Sequence, residues 1–220
     1  MMPQVLVAPT TAAAAASSIS SRIHTVLCRT SKPENAGSVA RSLRAMGMSG
    51  NLILLSPQFE LFRRGRTNPR SKNIHPRAKK TASGAVDILR RTRIVERWDG
   101  DVIGDCSFVV GATSRPLTEN LERQIESSAS HENACMNNET PIYSPREYAN
   151  MIVSDDAYRD KNIAVVFGPE HGGLSDDELD KCHAYLTIPT NPEFPSLNLA
   201  MAVQIWAYEV RMATMYAGSL

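Results

Sequence analysis

Three segments of this 220-residue chain hold side chains whose types and spacing suit chemistry. The first, Asn35-Ala36-Gly37-Ser38-Val39-Ala40-Arg41, opens a helix after an apolar strand. A helix N-terminus presents unpaired N–H groups and the positive end of the macrodipole. It therefore suits an anionic ligand, and Arg41 adds a guanidinium beside it. The plainer alternative is a capped helix, with Asn35 as the N-cap and Arg41 in solvent. The second segment runs from Val165 to Leu174, a buried strand leading into Gly168-Pro169-Glu170-His171-Gly172-Gly173. Its glycines let backbone approach a ligand closely. Glu170 puts an acid at the strand's carboxyl end, where α/β proteins bind ligands. The alternative is a glycine-rich connection with Glu170 at the surface. In the third segment, Ile188 to Ala202, three prolines stiffen a loop that delivers Ser196 and Asn198 to a helix start. Its alternative is again a capped helix.

Other chemistries leave no trace. The chain has no G-x-x-x-x-G-K-[ST] phosphate loop, no G-x-S-x-G nucleophile elbow and no G-x-G-x-x-G spacing. The four cysteines (Cys28, Cys106, Cys135, Cys182) are scattered without a C-x-x-C, which argues against a disulfide framework or a structural zinc site. Cys182 and His183 are adjacent, so on a strand they point to opposite faces and share no metal. Apolar runs such as Ile163–Phe167 and Leu52–Leu55 fall far short of the roughly 20 residues that span a bilayer.

The elements that must position these segments follow from the pattern. His24–Cys28, Asn51–Leu55, Phe108–Val110, Ile163–Phe167 and Ala184–Ile188 read as short buried strands. Asn35–Gly47 places Val39, Leu43 and Met46 on one helical face, and Gly47 ends it. Thr81–Arg91 has helical spacing, and Pro145–Val153 is a helix with proline in its first turn. Ser175–Leu179 carries a capping box with Glu178, and Ser196–Tyr216 forms a long final helix. Residues 127–141 are polar and loop-like. Strands alternating with helices predict an α/β fold with a mostly parallel sheet.

The net charge of +1 conceals an asymmetry. Arg63 to Arg97 holds twelve Lys/Arg against two acids, a net +10, and leaves twelve basic and twenty-one acidic residues elsewhere, a net −9. Such a stretch predicts an anionic partner, the alternative being a solvated loop. Two proline breaks, at Pro69 and Pro76, make its first half a loop. Residues 3–21 are rich in Ala and Ser and carry no charge, so they read as a disordered extension or an organelle transit segment ahead of one domain over 22–220.

Taken together and in this order, the three segments resemble the signature motifs of the SPOUT superfamily. The resemblance is to its SpoU/TrmH class of RNA ribose 2′-O-methyltransferases, and within it to the branch acting on the tRNA anticodon loop. The most specific part is Asn191-Pro192-Glu193, then Ser196 through Gln204, then Tyr208-Glu209-Val210-Arg211. The resemblance covers about His24 to Met215 and implies a C-terminal deep trefoil knot, an exception to unknotted topology. It implies S-adenosylmethionine as cofactor, held by Ala112, Thr113, Ser114, Gly168, Ile188, Pro195, Ser196 and Leu197. It also implies a homodimer with the active site completed across the interface, and RNA, here tRNA, as the partner. Arg63, Arg64, Arg66, Arg70 and Lys72 would then contact the RNA.

The catalytic residue implied by the resemblance is Arg41. Asn35, Ser196 and Asn198 would position the hydroxyl and the arginine, while Glu170 would orient Arg41 or serve the dimer contact. A guanidinium keeps its proton in proteins, so Arg41 suits a phosphate clamp better than a base. No metal is needed, because the cofactor carries its own charge and leaving group. The chain departs from the family pattern at Glu34, Pro195 and His171. An acid at position 34 would either repel phosphate or face solvent. The rival expectations are a catalytically silent RNA-binding member of the fold and a methyltransferase acting on a small molecule. A cytoplasmic location is expected, or an organelle if residues 1–21 are a transit segment.

Overall fold

The computed structural model describes residues 19–48, 52–64, 72–98, 103–114 and 140–217. The extension read over residues 1–21 lies almost wholly outside the described residues, and so does most of the loop over 127–141. Seven strands form one sheet: β1 (Ile23–Cys28), β2 (Leu52–Leu55), β5 (Arg93–Val95), β6 (Phe108–Ala112), β7 (Ile142–Tyr143), β8 (Ile163–Phe167) and β9 (Ala184–Leu186). Their order is β5-β2-β1-β8-β6-β9-β7, and every pairing is parallel. The last two strands in the chain are insertions: β8 sits between β1 and β6, and β9 between β6 and β7.

Parallel strands covered on both faces are apolar without interruption, which is why β2 and β8 are buried at every position. The two-residue period sorts each strand between two cores. Leu27, Leu54, Val110, Val165 and Leu186 face the larger core, while Val26, Ile53, Val109 and Val166 face the smaller one. The larger core is roofed by α1 (Pro33–Ala45), α2 (Pro76–Ala82), α3 (Val86–Arg91), α4 (Pro145–Ser154) and α6 (Leu199–Ala217). The smaller is closed by the one-turn α5 (Asp176–Leu179) with Ile103, Cys106 and Cys182. Trp206 is fully buried and stacks near Tyr148, joining α6 to α4.

The structure shifts several predicted boundaries. Helix α1 begins at Pro33 with Lys32 as N-cap, so Asn35 is a buried third-position residue, not the cap. Pro33 supplies the preset φ of a first turn and needs no N–H partner. The helical pattern over Thr81–Arg91 is broken at Ser83, which has φ +52°, into α2, a 3₁₀ turn over Ser83–Ala85, and α3. Helix α6 starts at Leu199, three residues after the expected Ser196. The first half of the basic stretch contains an antiparallel ribbon, β3 (Phe62–Arg64) with β4 (Lys72–Ile74), where a loop was expected. Residues 65–71 between them lie outside the described residues. The trefoil knot turns on the paths of the connecting segments, of which 115–139 lies outside the described residues.

Candidate active site

The carboxyl ends of β1, β8, β6 and β9 lie side by side near the middle of the sheet. Beyond β1 the chain runs Arg29-Thr30-Ser31-Lys32 into α1, and beyond β8 it runs Gly168-Pro169-Glu170. Because β1 pairs directly with β8, these two turns meet. The Glu170 carboxylate accepts five hydrogen bonds there. Oε1 takes Thr30 Oγ1 at 2.8 Å, Lys32 N–H at 3.2 Å and Asn35 Nδ2 at 2.7 Å, while Oε2 takes Ser31 N–H at 3.0 Å and Ser31 Oγ at 3.1 Å. The anion at the N-terminus of α1 is thus the protein's own glutamate. Partial burial alone would raise the Glu170 carboxyl. The donors from Ser31, Asn35, its own backbone and Thr30 outweigh that and hold it at about 2.

Asn35 joins this cradle to the third segment. Its Oδ1 accepts from Asn198 Nδ2 at 3.3 Å, so the amide orientation is fixed by Glu170 on one side and Asn198 on the other. Asn198 also caps α6, its Oδ1 accepting from the Ala200 N–H at 2.9 Å. The capped-helix alternative therefore holds for Asn198, and the same amide also reaches Asn35. The relay Asn198–Asn35–Glu170 ties one residue from each of the three segments together.

A second anchor lies beside the first. Arg29, at φ +49°, forms a two-pronged ion pair with Glu178, Nε to Oε1 at 2.9 Å and Nη2 to Oε2 at 2.7 Å. Glu178 also accepts from the Ser175 N–H, completing the capping box of α5, and from Cys28 Sγ. Burial tends to raise the Glu178 carboxyl, but the Arg29 contact brings it below its ordinary value. Burial first, and then Glu178, pushes the Cys28 thiol up to about 12, which leaves it a poor nucleophile.

The two anchors fix one wall of a cavity of about 280 Å³ at the carboxyl ends of β6, β8 and β9. Every residue expected to hold a cofactor lines it: Ala112, Thr113, Ser114, Gly168, Ile188, Pro195, Ser196 and Leu197. Glu170, Leu186 and Leu199 line it as well. Gly168 has a steric reason: a Cβ there would collide with the carbonyl carbon of Gly173 and the nitrogen of Leu174. Among the described residues, the main-chain N–H groups of Ile188 and Leu197 donate to no other backbone group.

Arg41 is elsewhere. It is exposed on α1 and lines a separate depression with Ser38, Ser42, Lys80, Thr81 and Gln204. Within the chain it makes no contact with Glu170, whose carboxylate oxygens accept from the turn before α1 and from Asn35. Ser196 is exposed at the cavity rim and makes no hydrogen bond to Asn35 or Arg41 within the chain. Glu34 neither faces solvent freely nor approaches the cavity. It pairs with Arg77 at 3.4 Å, and its carbonyl accepts from Thr81 Oγ1. Of the expected RNA contacts, Arg63 is exposed on β3. Arg64 and Lys72 contribute backbone to the ribbon, and Arg66 and Arg70 lie outside the described residues.

Sequence reasoning missed Arg29, Thr30 and Ser31, and saw Glu178 only as a capping residue. A polar triplet between a strand and a helix was a visible signal. Its partner was invisible, because the bonded residues of the two turns are 135 to 140 positions apart.

Residues 22–208 match the family model of the SpoU rRNA Methylase family. The tRNA (cytidine/uridine-2′-O-)-methyltransferase TrmJ of Cronobacter sakazakii is 38% identical over 191 residues, covering 87% of this chain and 63% of that protein. The chain spans less than two thirds of the length of these curated relatives. Among solved structures, a probable methylase family protein from Haemophilus influenzae Rd KW20 superposes with a TM-score of 0.69 at 33% identity, over 91% of this chain and 69% of that one. The SpoU methyltransferase AviRb from Streptomyces viridochromogenes, in complex with AdoMet, shares the fold with a TM-score of 0.58 at 16% identity, over 89% of this chain and 58% of that one. The family match takes in every strand of the large sheet and all three motif segments, and the chain belongs to the SpoU rRNA Methylase family.

Proposed function

We propose that the protein is an S-adenosylmethionine-dependent ribose 2′-O-methyltransferase acting on tRNA. The observation that carries this reading is the cavity at the strand carboxyl ends, whose lining residue Glu170 begins the relay through Asn35 to Asn198. The residues present fit the cofactor. The cavity is open and close to the lower end of ligand pockets, roughly 300–1,000 Å³. Leu186, Ile188, Leu197 and Leu199 offer apolar walls, and Gly168 admits close backbone approach. Bound there, S-adenosylmethionine supplies a methyl group on a sulfonium whose departure leaves a neutral thioether.

The chain's own residues bind, orient and clamp. A ribose 2′-hydroxyl is a poor nucleophile, so much of the barrier reduction comes from holding it in line with the methyl group. Glu170 is not the base. A base needs a free lone pair and a pKa near working pH, whereas this carboxylate sits at about 2 with five donors on it. Glu170 is a positioning residue: it fixes the start of α1 and the amide of Asn35, which in turn orients Asn198. The Arg41 guanidinium grips the phosphate beside the reacting ribose, which lowers the hydroxyl's effective pKa, and the proton released on methyl transfer passes to solvent water.

Three further parts belong to this reading. The tRNA substrate is supported by the relatives named TrmJ and by the basic stretch from Arg63 to Arg97. A homodimer is supported by Met201, Tyr208 and Met215, exposed apolar residues spaced seven apart along one side of α6. The reading requires the dimer to set Arg41 of one protomer at the cavity of its partner, because the two lie apart within one chain. The trefoil knot is carried by membership of the fold, and a cytoplasmic location by the tRNA substrate.

The test is calorimetry with S-adenosylmethionine and S-adenosylhomocysteine, followed by transfer of radiolabelled methyl to tRNA. Binding of both ligands and transfer that is lost in Arg41→Ala support the proposal. No binding at up to millimolar ligand would sink it. Binding without transfer would point to a catalytically silent RNA-binding protein, and transfer to free nucleosides to a small-molecule enzyme.

A further inference from the structure

We propose that the depression between α1, α2 and α6 is a binding site for RNA backbone phosphate, with Lys80 as its second cation beside Arg41. The inference rests on the RNA-methylation reading, in which Arg41 grips phosphate, and extends it to Lys80, Ser38, Ser42 and Gln204, which that reading does not use. The depression has a volume of about 400 Å³ and shares no lining residue with the cofactor cavity. Ser38, Arg41 and Ser42 enter it from α1, Lys80 and Thr81 from α2, and Gln204 from α6. No carboxylate lines it.

Three arginines near it have acidic partners within the chain: Arg44 and Arg91 share Asp87, and Arg77 pairs with Glu34. Arg41 and Lys80 have no ion-pair partner among the described residues. Two unpaired cations facing one concavity repel each other, and an anion between them turns that repulsion into attraction. Hydroxyl and amide donors from Ser38, Ser42 and Gln204 add the neutral contacts typical of phosphate recognition.

The placement is built into the packing. A Cβ on Gly37 would collide with both the Ala78 carbonyl oxygen and Thr81 Oγ1, so only glycine lets α2 come this close to α1. Thr81 Oγ1 then donates to the Glu34 carbonyl at 2.8 Å and locks the approach. One turn of α2 therefore holds Lys80 over the same depression that Arg41 reaches from α1. The ribbon β3–β4 leads straight into α2, so the depression continues the basic stretch rather than standing apart from it.

The test compares Lys80→Ala with Lys79→Ala, an exposed neighbour that does not line the depression. Affinity for tRNA is measured by fluorescence anisotropy across a salt series, with calorimetry for S-adenosylmethionine and sedimentation for oligomeric state. Lys80→Ala should weaken tRNA binding about five- to tenfold at low salt and reduce the log–log salt slope by about one. Lys80→Arg should restore it, and Lys79→Ala should leave the slope near wild type. Cofactor affinity and oligomeric state should be unchanged in all three. An unchanged slope in Lys80→Ala, or equal losses in both alanine variants, would overturn the proposal. A changed oligomeric state would overturn it too, by assigning the depression to a protein contact. Wild-type protein that binds the cofactor but no tRNA would overturn the RNA reading itself, an outcome distinct from a failure of Lys80 alone.

Discussion

Glu170→Gln is the sharpest perturbation of the site's frame. Glutamine keeps the size but offers one acceptor oxygen to donors now spread over two. If that oxygen stays with Thr30, Lys32 and Asn35, the new NH₂ faces the Ser31 N–H, donor against donor. A hydrogen bond to a charged group is worth about 1.5–3 kcal/mol, and the half-exposed position lets water recover part of the loss. The depressed carboxyl gives a second route to the magnitude, since lowering a pKa by one corresponds to about 1.4 kcal/mol, which solvent screening then reduces. Either route leads to a loss of about 2 kcal/mol, or a fall of about 4–8 °C in Tm for a chain of this size.

The pH dependence carries the decisive sign. The folded Glu170 carboxyl sits at about 2, below its ordinary value of 4.5, so its contribution is complete above 4.5 and fades as pH falls toward 2. The variant never has that contribution. Thermal unfolding from pH 7 down to pH 3 should therefore show a gap between the two proteins that narrows below about pH 4.5. Equal Tm values at pH 7, or a gap that stays constant with pH, would refute the claim that the ionised carboxylate anchors α1.

Other substitutions probe neighbouring features. Gly168→Ala drives a methyl into backbone atoms of Gly173 and Leu174, so calorimetry should show at least about tenfold weaker cofactor binding, and wild-type affinity would refute the need for close approach. Gly37→Ala must push α2 off α1 and should cost about 2–4 kcal/mol in urea unfolding; a loss below about 0.5 kcal/mol would show that the helices yield easily. If α6 forms the proposed dimer, the double variant Met201→Glu with Tyr208→Glu should shift sedimentation from dimer to monomer while leaving the far-ultraviolet spectrum unchanged; an unaltered dimer, or a wild-type monomer, would refute that interface.

Much of the site was legible in the chain. Asn35, Glu170 and Asn198 each stand out because a polar residue at a strand end or helix start, next to glycine or proline, has a local physical reason to be there. The strands β1, β2, β6, β8 and β9 were legible from unbroken apolar runs, and the Ser175–Glu178 capping box from spacing alone. Short peripheral strands were not, because β5 and β7 hold only three and two residues, too few for a period to show.

What the order of residues could not decide was which ends would meet. The adjacency of β1 and β8 arises because a late strand inserts between two earlier ones, a choice made by the packing of the whole sheet. That choice gives the positive start of α1 an internal anion in place of a ligand. It also separates Arg41 from the cavity within one protomer and sets it beside Lys80. The residue types dictated an anion at that helix terminus and a glycine at position 37; only the tertiary structure decided that the first is Glu170 and that the second exists to admit α2.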